Sequence, residues 1–109
     1  MQSSLLPAPE PQVETIDPII ADLVPGYLEA RRAELIELRE LVRDCCLEKL
    51  AVLGHRLKGS GAGYGFPELT RLGAEIEDSA NDQDLGRVAE SVRLLARYLD
   101  NVRWAVRGG

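Results

Sequence analysis

The stretch Gly54-His55-Arg56-Leu57-Lys58-Gly59-Ser60-Gly61-Ala62-Gly63-Tyr64-Gly65 holds the residues best equipped for chemistry. It carries the chain's single histidine, a lysine three residues on, and a run of glycine and other small residues. A neutral imidazole is a nucleophile near neutral pH, where an ordinary pKa of about 6.5 leaves much of it deprotonated. A lysine one helical turn away can offset negative charge on a group held by that ring. Such chemistry requires the imidazole to stand clear of its own protein.

The local pattern meets that requirement. On a helical wheel of about 100° per residue, with Leu57 at the centre of the buried side, His55 falls at about 160°, nearly opposite the core. Its turn-spaced neighbours are Ala51, Val52, Lys58 and Gly59, with Ala62 two turns on. A solvated helix face would normally carry Glu, Lys, Gln and Arg. Here the neighbours are small, with one cation and a modest apolar patch. A glycine inside a helix costs roughly 1 kcal/mol relative to alanine, and this segment has Gly54, Gly59, Gly61 and Gly63. Gly54 and Gly61 point toward the core, where they permit close helix packing. Gly59 faces outward, so the close approach of another molecule is its physical explanation. Ala51, Val52, Gly59 and Ala62 are therefore the candidate partner-docking residues.

Three plainer readings compete. An exposed histidine is usually an ordinary surface residue, and a glycine-rich run can be a flexible loop. The same run could also cradle a nucleotide phosphate, but a P-loop ends in Gly-Lys-Ser/Thr and a dinucleotide loop follows a strand. Here lysine precedes the glycines and the upstream segment is helical.

The elements that would position this segment are helices. Asp17-Pro18 reads as an N-cap and first helical residue of a short helix through Ile19, Ile20 and Leu23. From Pro25 to about Asp44, Val24, Leu28, Leu35, Leu38 and Val42 recur at helical spacing, with Arg31 the polar exception. Cys46, Leu50, Leu53, Leu57, Gly61 and Tyr64 share one side of the next helix; Gly65 stops it and Pro67 starts another. That third long helix carries Leu69, Leu72, Gly73 and Ile76 and ends within Ser79–Asp82. The last runs through Leu85, Val88, Val92, Leu95, Leu99, Val102 and Val106. No segment reads as a strand by alternation. Short connections favour an all-α, antiparallel up-and-down four-helix bundle with a short N-terminal capping helix. Residues 1–15, with Pro7, Pro9 and Pro11, read as a disordered or extended lead, and residues 16–107 as the bundle. Tyr64 and Trp104 read as packing residues, and Arg31 and Arg32 as solvated, with some scope for partner docking.

Composition narrows the function classes. A length of 109 residues fits one domain, and 45% hydrophobic with 28% charged residues is globular rather than disordered. A net charge of −5 argues against nucleic acid or an anionic membrane as the main partner. No apolar run has the ~18 residues of a membrane helix, and the N-terminus lacks the basic n-region of a signal peptide. The adjacent Cys45 and Cys46 fit reduced thiols in a cytoplasmic protein. One histidine and no second cysteine pair leave no metal site to expect. Met1 and an end just after an amphipathic helix favour a separate small protein, and the bundle can be a monomer.

The His55 segment resembles the signature of histidine phosphotransfer (HPt) domains of multistep phosphorelays in two-component signalling. That pattern is His, two residues, Lys-Gly-Ser or Lys-Gly-Ala, small residues, then glycine ten positions after the histidine. Here it is met by His55, Lys58, Gly59, Ser60 and Gly65, with Leu69, Leu72, Ile76 and Glu77 matching the following helix. The likeness covers roughly residues 17 to 106. It implies that His55 accepts a phosphoryl group from a phospho-aspartate of a receiver domain and passes it to another receiver. Lys58 and Gly59 would support the phosphoryl group, and Ser60 would either do the same or bond locally to the backbone. Glu77, on the neighbouring helix, would accept from Nδ1–H and orient the imidazole; a solvated Glu77 is the even alternative. The partners implied are response-regulator receiver domains, a hybrid sensor histidine kinase, or both. The chain needs no cofactor of its own, with Mg²⁺ expected on the receiver, and it acts as a carrier without autonomous turnover. The rival is an HPt-like adaptor that binds a receiver or kinase and regulates it without carrying phosphate.

Overall fold

The computed structural model describes residues 13–108. Four helices, α1 (Val24–Arg43), α2 (Leu47–Gly61), α3 (Pro67–Asn81) and α4 (Leu85–Asn101), lie between two short strands, β1 (Val13–Ile16) and β2 (Arg103–Val106). The most extensive packing is between α2 and α3; α4 packs on α1 and on α3.

The helix ends are set by local backbone turns and caps. After α1, Cys45 takes a left-handed φ of 57°. The Cys46 amide then donates to Leu41 O at 2.9 Å and the Cys45 amide to Val42 O at 3.1 Å. This is the Schellman pairing that satisfies the last carbonyls of a helix. A 3-10 turn, Ala62–Tyr64, extends α2 to Gly65, whose φ of 96° suits glycine. Pro67 opens α3, where its missing N–H costs nothing. Asp84 caps α4, its Oδ1 accepting from the Arg87 amide at 3.1 Å.

The apolar stripes meet in one core. Val24, Leu28, Leu35 and Leu38 of α1 face Leu50, Leu53 and Leu57 of α2, Leu69, Leu72 and Ile76 of α3, and Val88, Val92, Leu95 and Leu99 of α4. Burying each such side chain contributes roughly 1.5–3 kcal/mol. Val42 is only half-buried, and Leu41 and Tyr27 take the inner positions on α1. Phe66, in the link between α2 and α3, is wholly buried.

Three expectations about the chain ends are corrected. The capping helix is a single 3-10 turn, Ala21–Leu23, that runs directly into α1, with Ile19 left 88% exposed. Asp17 does act as a local cap, its Oδ1 accepting from the Ile19 amide at 2.9 Å. The last helix stops at Asn101, because Val102 turns to extended backbone with ψ of 137°. Strands are present after all: β2 pairs in parallel with β1, in the register Val13↔Arg103 to Ile16↔Val106. Leu99, Val102 and Val106 keep a spacing of three and four, while Val102, Trp104 and Val106 keep a spacing of two. Their β-branched and aromatic side chains favour the pleated form once a partner strand lies alongside. Ile16 supplies that partner's anchor, being completely buried, and the Arg107 amide donates to Ile16 O at 2.8 Å. The expectation for residues 1–12 lies outside the described residues.

Candidate functional site

The site is built on the contact between α2 and α3. Gly54 on α2 and Gly73 on α3 lie so close that a Cβ on Gly73 would stand 2.7 Å from Gly54 O and 2.4 Å from the Lys58 nitrogen. A Cβ on Gly54 would stand 2.7 Å from the Glu77 nitrogen. No real side chain fits there, so the two backbones touch. One turn beyond Gly73, this approach places Glu77 across from both His55 and Lys58.

Glu77 divides its carboxylate between them. Oε2 lies 3.0 Å from His55 Nδ1, and Oε1 lies 2.8 Å from Lys58 Nζ. The Glu77 side chain is 18% exposed, whereas His55 is 68% and Lys58 41% exposed. The carboxylate therefore sits at the base of the site with the two nitrogen groups above it. Lys58 chiefly, and His55 in addition, hold the Glu77 carboxyl below its ordinary value, with partial burial opposing them. Reciprocally, the bond to Glu77 and its charge raise the Lys58 ammonium above its ordinary value. In the neutral imidazole, a carboxylate at Nδ1 favours the tautomer with the proton on Nδ1 and the lone pair on Nε2.

Other expected residues fall as follows. Gly59 is exposed, and a Cβ there would meet nothing within 4 Å. Val52 is 51% exposed and Ala51 half-buried; both line shallow depressions beside the site, one shared with His55, Arg56 and Glu77 and the other with Glu48, Lys49 and Asn81. Ala62 is exposed at the start of the 3-10 turn, about 20° from His55 around the axis if helical rotation continued.

Ser60 does not join His55, Lys58 and Glu77. Its Oγ lies 2.7 Å from the Tyr27 hydroxyl, tying α2 to α1. Five residues from His55, it is turned by about 140° around the helix, which carries it toward α1. Tyr27 stacks on Tyr64 with ring centroids 4.0 Å apart, and the Arg31 guanidinium lies 4.6 Å above the Tyr27 ring. Arg31 also pairs with Glu34 at 3.0 Å, so it is held rather than solvated. Arg32, though exposed, donates to Leu99 O at 3.1 Å.

One residue of the site region escaped the sequence reading. Thr70 on α3 donates from Oγ1 to Lys58 O at 2.9 Å and accepts from the Ala62 amide at 2.7 Å. Its signal was the spacing Thr70, Gly73, Glu77, a polar and small stripe on the α3 face that meets the glycine-rich helix.

Among the described residues no helix is long and apolar enough to cross a membrane, and no group of three or more His, Cys, Asp or Glu could hold a metal ion. Neither the curated proteins nor the solved structures compared with the chain gave a match. Residues 22–105, however, match the family model described as the Hpt domain. That span contains all four helices and the whole His55–Lys58–Glu77 cluster, and the chain belongs to the Hpt domain family.

Proposed function

We propose that the protein is a phosphoryl carrier of a two-component phosphorelay, accepting the group on His55 from a receiver-domain phospho-aspartate and passing it to another receiver. The observation that carries this reading is the exposed imidazole whose Nδ1 is bonded to Glu77 beside Lys58. The Nε2 lone pair attacks phosphorus, the bond from phosphorus to the aspartate oxygen breaks, and the carboxylate leaves with the electron pair. The Nδ1 proton stays on the ring, where the Glu77 carboxylate offsets the positive charge that the imidazole gains, the logic of a carboxylate behind a catalytic histidine. Lys58 offsets charge on the phosphoryl oxygens. Gly59 adds no side chain to the approach, while Ala51, Val52 and Ala62 offer the receiver a small apolar surface. The Ser60–Tyr27 bond supports a structural role for Ser60, not a phosphoryl-supporting one.

The chain acts as carrier and not as an enzyme with its own turnover, and Mg²⁺ for in-line transfer would be held by the receiver's acidic residues. The short links between successive helices favour the antiparallel up-and-down arrangement, which leaves the α2–α3 face open to a partner.

Incubation with a phosphorylated receiver domain tests the proposal. Acid-labile, base-stable label should appear on the chain and be absent from His55→Gln. Binding without label would make the protein an adaptor. Neither binding nor label would leave a structural bundle.

A further inference from the structure

A single stripe of α3 grips Lys58 at three points. Thr70, Gly73 and Glu77 recur at intervals of three and four, so they share the face of α3 that meets α2. Glu77 takes the ammonium at 2.8 Å. Gly73 lies against the main chain at the Lys58 nitrogen, where a Cβ would come within 2.4 Å. Thr70 reaches the Lys58 carbonyl, donating to it at 2.9 Å while accepting from the Ala62 amide at 2.7 Å.

Lys58 O and Ala62 N–H are the i, i+4 pair at the end of α2, where the α-helix gives way to the 3-10 turn. The Thr70 hydroxyl thus enters the hydrogen-bond ladder of α2 from the side. It does so at the residue whose ammonium stands beside the imidazole. Gly61 makes the room: a Cβ there would lie 2.6 Å from the Thr70 nitrogen and 2.9 Å from its Oγ1.

We propose that Thr70 is a positioning residue for phosphotransfer and acts through Lys58. A lysine ammonium sits at the end of a flexible four-carbon stem, so its location is defined only when both ends of the side chain are held. Glu77 holds the head, and Thr70 with Gly73 holds the base. When a phosphoryl group arrives on His55, the ammonium turns toward its oxygens from a fixed base and needs only a short swing. Without the hydroxyl, the last turn of α2 is free to shift and carries the origin of that swing with it. This inference rests on the carrier reading above.

The test is single-turnover transfer of label from a phosphorylated receiver, followed over a range of receiver concentrations. Wild type, Thr70→Val and Thr70→Ser are compared, each alone and combined with Lys58→Ala, with the urea midpoint of every variant. Thr70→Val should lower the saturating rate about tenfold, well within what misplacement of a group can cost. The half-saturating receiver concentration should stay unchanged, and Thr70→Ser should restore the rate. In the Lys58→Ala background Thr70→Val should have no further effect on the rate, the mark of action through Lys58. A wild-type saturating rate in Thr70→Val overturns the inference, as does a loss that persists in full without Lys58. Should Thr70→Val fail to fold, Thr70→Ala is read in its place, and failure of both assigns the hydroxyl a purely structural role. Absence of label on wild type itself sinks the carrier reading and this inference with it, an outcome distinct from the others.

Discussion

Gly54 and Gly73 set the separation of α2 and α3: a Cβ on either would lie within 3 Å of the other's carbonyl oxygen. Everything in the site follows from that contact. It places the Glu77 carboxylate within reach of two groups that α2 presents one turn apart, His55 and Lys58.

Gly73→Ala and Gly59→Ala should therefore move stability in opposite directions. Alanine gains about 1 kcal/mol over glycine in helix propensity at either position. At position 59 the added methyl meets open space, so the protein should become more stable by up to that amount. At position 73 it meets backbone that cannot rotate away, and overpacking of about 1–3 kcal/mol should outweigh the propensity gain. Urea unfolding of both variants checks the pair; equal stabilisation by both would show that the helices are not in backbone contact.

Gly59→Leu separates stability from function. The leucine side chain projects outward beside His55, so the urea midpoint should be no lower than in wild type. Label transfer from a phosphorylated receiver should nevertheless fall, through a weaker apparent affinity for the receiver. Unimpaired transfer would mean that the partner does not approach over this residue.

Glu77→Gln tests the charge of the carboxylate. Because Lys58 above all holds the folded-state carboxyl below its ordinary 4.5, folding favours the ionised form. The stabilisation is present above about 4.5 and is lost as pH falls through the depressed folded-state value. The stability gap between wild type and Glu77→Gln should shrink as pH falls below the ordinary carboxyl value and through the depressed folded-state one. Urea midpoints across the acid range provide the measurement, and a gap that ignores pH would show that Lys58 and Glu77 are not paired in the folded protein. The same variant should transfer label more slowly, since a neutral amide offsets less of the charge gained by the ring.

Ile16→Ala should loosen both ends of the chain together. Ile16 is fully buried, and the site of a Cβ on Gly65 would lie 2.4 Å from its Cδ1, so the side chain fills the space beside the turn that ends the α2 extension. Truncation should cost about 2–5 kcal/mol. Amide hydrogen exchange should speed up in β1 and also in β2, although β2 is unaltered in sequence. Exchange confined to β1 would show that the strands are not one unit.

The four helices, the stops of the first three and the outward direction of His55 were legible in the sequence because they depend on local periodicity. Leu50, Leu53 and Leu57 mark the buried side of α2, and an imidazole two residues before Leu57 has to point away from it. Pro67 and Asp84 act within one turn of their own positions. The pairing of β1 with β2 was not legible, because a strand of four residues is stabilised by its neighbour and these neighbours stand at opposite ends of the chain. Val102 and Val106 continue the helical spacing of Leu99 and also alternate with Trp104, so helix and strand stay open until Val13–Ile16 is placed beside them. Ser60 and Thr70 show the same division inside the site. Ser60 lies in the glycine-rich run and Thr70 on a polar and small stripe of α3, but only the packing of α2 between α1 and α3 sends one to Tyr27 and the other to the Lys58 carbonyl. Local chemistry decided which residues could react; contacts between residues distant in sequence decided which of them are held in place to do so.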